Sequence, residues 1–126
     1  SKNLGHQMAI NDACLTYAQR AGSQLQGRVV SDIAGNSTDV AGEFDHFYAA
    51  YERLVEKEIK GEMEESFSVI HDNGDGTFEI QTYFVASESA ASKARMRALE
   101  NAIKESEVAK RHADKISEFV REKVAE

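Results

Sequence analysis

The chain has 126 residues, no proline, a single cysteine and a net charge of −7. That length suits one domain that can bury a core without staples. The absence of any run approaching eighteen apolar residues excludes a membrane-spanning helix, and the lone Cys14 excludes an internal disulfide. The charge argues against nucleic-acid binding, which needs clustered cations, because residues 1–92 hold six Lys/Arg against fifteen Asp/Glu. Residues 93–126 reverse the balance, with nine against seven, so an acidic body precedes a weakly basic tail.

An average chain of this length carries about six prolines. Their absence favours long helices, since proline costs roughly 3 kcal/mol inside one. Leu4, Met8, Leu15, Ala18, Leu25, Val29 and Ile33 recur at helical spacing and predict an amphipathic helix over residues 3–34. Ala9, Ala13 and Ala21 form a narrow second stripe, small enough for another helix to approach closely. Gly22 and Gly27 weaken this helix by about 1 kcal/mol each relative to alanine, and a bend or fray is expected near Gly22. Cys14 lies within the helical pattern and reads as a buried structural thiol, with no base or cation beside it to activate it.

Residues 34–38 read as a loop. Ser37 or Thr38 is a natural N-cap with Asp39 in the favourable first turn. A second helix over 39–60 presents Val40, Phe44, Phe47, Tyr48, Tyr51, Leu54, Val55 and Ile59 on its apolar face. Lys57 and Lys60 suit its last turn, and Gly61 its end.

The sequence then changes period. Ser66 to Val85 reads strand, turn, strand, with the turn at Asp72–Gly76. Phe67, Val69 and His71 share one face of the first strand. Phe78, Ile80, Thr82 and Phe84 share one face of the second, with Glu79, Gln81, Tyr83 and Val85 opposite. One face is more apolar on each strand, which predicts a sheet packed on helices on one side. A lone two-stranded hairpin is marginal in water, so a third strand, a helical cover or a second copy must shelter it.

From Ser87 to Ala125 the pattern is helical again, with Ala94, Ala98, Leu99, Ala102, Ile103, Ala109, Ala113, Ile116, Val120 and Val124 as the buried stripe. One rod of that length would span about 57 Å, against a diameter of roughly 35–40 Å for a compact domain of this size. The stripe thins between Ile103 and Ile116, so a break is expected near 106–111. The fold class is therefore α+β, long helices packed on a small antiparallel hairpin, in the order α-α-β-β-α(α), as a single domain spanning 1–126.

Few residues suggest chemistry. Glu43 and His46 form one Glu-x-x-His pair on a helix face, but a di-iron site needs two such pairs and further carboxylates. His6, His71 and His112 lack a glutamate three residues before them, so Glu43 and His46 read as a solvated face. Asp72–Gly76 fails the calcium-loop spacing, because Gly74 stands where an oxygen ligand is required, and it reads as a plain turn. No phosphate loop, paired cysteines or nucleophile elbow is present. No catalytic, cofactor-binding or metal residue is assigned, and no cofactor is expected. A deep pocket joining His46 or His71 to a carboxylate and a polar nucleophile would be needed to read the chain as an enzyme.

The order of the pieces carries a resemblance. An alanine-spaced first helix runs from Ala9 through Ala21 to Val29, and an aromatic second helix ends in Tyr51-Glu52-Arg53-Leu54-Val55. A Gly-Asp-Gly turn follows, then Gln81-Thr82-Tyr83-Phe84-Val85-Ala86 leading into a serine-capped helix. From about Met8 to Phe119 this resembles the small Bacteroidetes envelope lipoproteins, relatives of the Helicobacter twenty-kilodalton lipoprotein family. The resemblance implies a cell-envelope protein, periplasmic or outer-membrane associated, with an α+β fold and no established catalysis. It implies a membrane association only through a lipid anchor outside this chain, since Ile10-Asn11-Asp12-Ala13 before Cys14 is no signal segment. Relatives usually carry an apolar strand before the first helix, which this chain does not contain, so the hairpin edge is expected to be open to a partner strand. The leading expectation is a non-catalytic module that binds a protein partner or forms a homo-oligomer. The alternative is a small-molecule carrier with a groove between helix 39–60 and the hairpin.

Overall fold

The computed structural model describes residues 2–35 and 37–122, with side chains described from Ile10 onward. Helix α1 spans Lys2–Val29 and passes into a π-helical turn, Val30–Ala34. Short α2 (Thr38–Glu43) and α3 (Asp45–Lys60) follow, then β1 (Glu64–Asp72), β2 (Phe78–Val85), α4 (Glu88–Lys104), α5 (Glu107–Arg111) and α6 (Ala113–Arg121). This is the α+β architecture expected, with one two-stranded antiparallel sheet among helices.

Helix α1 runs unbroken through Gly22, so the expected bend there is absent. Gly22 instead faces α3 closely, and a Cβ added to it would stand 3.2 Å from Glu52 Oε2. The irregularity falls later, where the π turn closes on Gly35, whose φ of +59° only glycine adopts readily. The buried stripe of α1 is Cys14, Ala18, Ala21, Leu25 and Val29. Cys14 is buried as expected, but Leu15, also expected in the core, is 40% exposed. Alanines on that stripe admit α3 closely, as their size requires. Leu4, Met8 and Val124 of the expected stripes lie outside the described side chains.

The second helix begins as its sequence dictates. Ser37 caps it, its hydroxyl accepting from the Val40 amide at 3.3 Å. It is not continuous, however. At Phe44 the amide turns back to the Ala41 carbonyl (3.2 Å), and α3 starts afresh. Phe44 is fully buried, 5.9 Å between ring centroids from His112, which separates α5 from α6. Two helix interruptions thus meet across the core. Phe47, Tyr48, Ala50, Tyr51, Val55 and Ile59 of α3 are buried between α1 and α4.

After Ser87, whose hydroxyl accepts from the Ala90 amide, helical structure is interrupted at Glu105–Ser106 and again at His112. Ser106 is buried and caps α5, its Oγ accepting from the Ala109 amide at 3.2 Å. Replacing an N-cap serine by alanine costs about 1 kcal/mol. Ser106→Ala should lower stability by about that much, read as a shifted urea midpoint at unchanged slope. Ion pairs tie the helices together at the surface: Arg97 of α4 to Glu58 (2.9 Å) and Glu62 (3.1 Å), Arg53 of α3 to Glu105 (3.1 Å), and Arg28 of α1 to Glu122. All are exposed enough that each is worth little.

Tyr48 contributes a buried hydroxyl with no hydrogen-bond partner among the described residues. Burial, and secondarily the charge of Asp45, pushes its pKa up to about 12. An unfolded tyrosine releases its proton near pH 10. The folded form holds it longer, so stability is intact below about pH 10 and drains as pH rises towards about 12. Tyr48→Phe removes an unsatisfied polar atom, so it should raise stability by about 1 kcal/mol and flatten that alkaline loss in pH-dependent urea titrations.

Candidate functional site

The hairpin is where exposed apolar surface concentrates. Its root is held: Met63 before β1 and Ala86 after β2 pack on a small core of Cys14, Ile59, Ala91 and Ala94. Cys14 is fully buried there, and burial pushes its thiol pKa up, which suits a structural rather than a reactive role. Helix α1 lies against β2, where Thr82 and Phe84 are half-buried, while among the described residues no helix packs extensively on β1.

The tip is fastened by its own side chains. The Gly74 amide donates to Asp72 Oδ1 (2.8 Å), the Thr77 amide and hydroxyl both donate to Asp75 Oδ1 (3.0 and 2.5 Å), and Asn73 donates through Nδ2 to Thr77 Oγ1 (3.1 Å). The two bonds from Thr77 hold the Asp75 pKa below the usual carboxylate range. Gly74 and Gly76 supply φ values of +79° and +88°. Asp72 and Asp75 therefore do turn chemistry, and each residue from Asp72 to Thr77 has a local reason to be there.

The strand register corrects the one-sided sheet. Phe67 pairs with Tyr83, Val69 with Gln81 and His71 with Glu79, while Ser68 pairs with Thr82, Ile70 with Ile80 and Asp72 with Phe78. The apolar row of β1 therefore lies beside the polar row of β2, and the apolar row of β2 beside the mixed row of β1. Each face is half apolar. A bulge between Glu65 and Phe67 shifts the pairing again near the root. Consequently Phe67, Ile70, Phe78, Tyr83 and Val85 are 44–64% exposed, and Ile80 is 37% exposed. Among the described residues only Leu15 and Val30 join them as exposed large apolar side chains. The Phe67 and Tyr83 rings stack at 4.6 Å in the open. Between Lys60 and Lys93 there is no Lys or Arg, while Glu64, Glu65, Asp72, Asp75 and Glu79 make the hairpin purely acidic.

The other concave feature is a cavity of about 460 Å³ between α1, α4 and α6, whose lining mixes apolar side chains such as Leu25, Tyr51 and Phe119 with polar and charged ones, among them Gln24, Arg95 and Glu122. It is not the groove expected between helix 39–60 and the hairpin: the aromatic face of α3 is buried against α1 and α4. Arg28 stands at the cavity rim, 4.6 Å above the Phe119 ring and paired with Asp32 and Glu122. No sequence motif marks this cavity, because its walls come from residues more than ninety positions apart.

Glu43 and His46 are both exposed beside Phe44. Among the described residues no three His, Cys, Asp or Glu side chains converge as metal ligands, and no described helix is long and apolar enough to cross a membrane. Comparison of the chain with protein-family models, curated proteins and solved structures gave no match.

Proposed function

We propose that this chain is a non-catalytic, lipoprotein-like module of the cell envelope that acts by binding a protein partner through its hairpin. The observation that carries the reading is the concentration of exposed large apolar side chains on one acidic two-stranded sheet, on whose β1 strand no helix packs extensively among the described residues. Three half-exposed aromatic rings offer on the order of 300 Å² between them, and the aliphatic neighbours bring the patch to a size that marks interaction sites. Natural sheets guard their edges with lysine or proline, and neither occurs in these strands. The partner is an extended segment with basic and apolar residues in alternation, added beside β1 as a third strand. Symmetric pairing of two hairpins opposes like charges and is the less favoured use of the surface. The envelope location rests on the family resemblance of the sequence.

Titration with a nonapeptide of alternating lysine and valine tests the site, with a glutamate–valine peptide as control. The expected result is saturable binding of the lysine peptide alone, weakening with salt, with backbone amide shifts along β1. A hairpin-mediated homodimer at micromolar concentration, or binding of both peptides alike, would overturn it. A small-molecule carrier is the second reading, and the α1–α4–α6 cavity is the observation that favours it.

A further inference from the structure

The cavity between α1, α4 and α6 contains a cation with no ion-pair partner among the described residues. Arg95 of α4 is half-buried and lines the cavity. It donates through Nη1 to the Tyr17 hydroxyl, and its buried Nε has no hydrogen-bond partner among the described residues. Arg28, Arg53 and Arg97 each have a carboxylate partner; no carboxylate among the described residues pairs with Arg95. A guanidinium carries five donors in a planar fork, so most of this one's capacity is unspent. A partly buried cation without a counter-ion is costly, and a site that supplies the anion recovers that cost. Ala21, Leu25, Tyr51, Phe119 and Val120 supply apolar wall, while Ser23, Gln24 and the Arg28–Glu122 ion pair make the rest polar. The volume lies within the range of about 300–1,000 Å³ typical of small-ligand sites.

We infer that this cavity binds an organic monocarboxylate with an apolar body, its carboxylate accepting from the Arg95 guanidinium and its hydrocarbon lying against Leu25, Phe119 and Val120. The inference rests on the carrier reading of the cavity and adds the ligand's charge. The flat guanidinium suits a carboxylate, which it can engage with two parallel bonds. Arg28 is already neutralised by Asp32 and Glu122, so it shapes the mouth and leaves Arg95 as the recognising cation.

Decanoate and decanol, each below its aggregation limit, are the probes for titrating isotope-labelled protein. Decanoate should shift the Ala21, Leu25 and Val120 amides saturably, and decanol should bind at least tenfold more weakly. Arg95→Gln should remove that preference, and Arg95→Lys should keep part of it. The wild-type comparison of the two ligands stands even where a variant fails to fold. Equal affinity for both overturns the anion assignment while leaving a carrier. No binding of either, or shifts confined to the hairpin, overturns the cavity as a site altogether.

Discussion

Changing Ile70 and Phe78 together to serine should abolish binding of the basic strand peptide, a loss of a hundredfold or more, while the urea midpoint scarcely moves. Ile70 and Phe78 are 62% and 64% exposed, so their removal leaves no cavity in the core. Their neighbours across the ladder are Ile80 and Asp72, and a cross-strand pair is worth roughly 0.2–1 kcal/mol. Apolar anchors at the centre of an interface are worth about 2 kcal/mol or more each. Two such anchors account for the hundredfold loss, since each factor of ten is about 1.4 kcal/mol. Loss of binding together with loss of fold would instead mean that these side chains support the domain, and the hairpin would cease to be a docking surface. Parallel urea curves and peptide titrations separate the two outcomes.

Phe47→Ala should do the reverse, costing about 3–5 kcal/mol without acting on the hairpin. Its ring is fully buried, 6.4 Å from the centroids of Phe44 and Tyr51 and 6.0 Å from that of Tyr48. The surrounding rings are wedged between α1 and α4 and have little freedom to collapse into the space. Against the 5–15 kcal/mol that holds a typical domain together, the melting temperature should fall by more than about 10 °C. Calorimetry checks this. A fall of only a few degrees would show that α2 and α3 can slide to fill the gap, and that the break at Phe44 is a soft joint.

The pairing of those two outcomes reflects how the molecule divides its aromatic residues. Those on α3, with Phe44 just before it, are core and in ring contact with one another, and Phe44 also meets His112. On the hairpin Phe67 and Tyr83 stack on each other and, with Phe78, are largely exposed, while Phe84 is half-buried. Composition treats the two sets alike, and only their surroundings separate them.

Much of the architecture was legible beforehand because it follows from local chemistry. The Ser37 and Ser87 caps and the Asp72–Gly76 turn are short-range devices in which a side chain or a glycine satisfies its own neighbours. The end of α3 at Lys60, with Gly61 beyond it, is similarly local. The break at Phe44 was less visible. Its one signal was Gly42, two residues earlier, and its cause is a tertiary pocket that takes the ring. The exposure of Leu15 beside the buried Cys14 has the same origin: a stripe with small residues on both flanks can turn either way, and contact with α3 decides.

The amino-acid order by itself determined the period of every segment, the positions of caps and turn, and the acidity of the hairpin, since each depends on residues within a few positions of one another. Tertiary structure alone decided that the two apolar rows fall on opposite faces of the sheet, because the five-residue connection sets register and a shift of one position exchanges faces. It likewise decided that Arg95 would line a cavity with no carboxylate paired to it among the described residues, because α1, α4 and α6 must first meet for that space to exist.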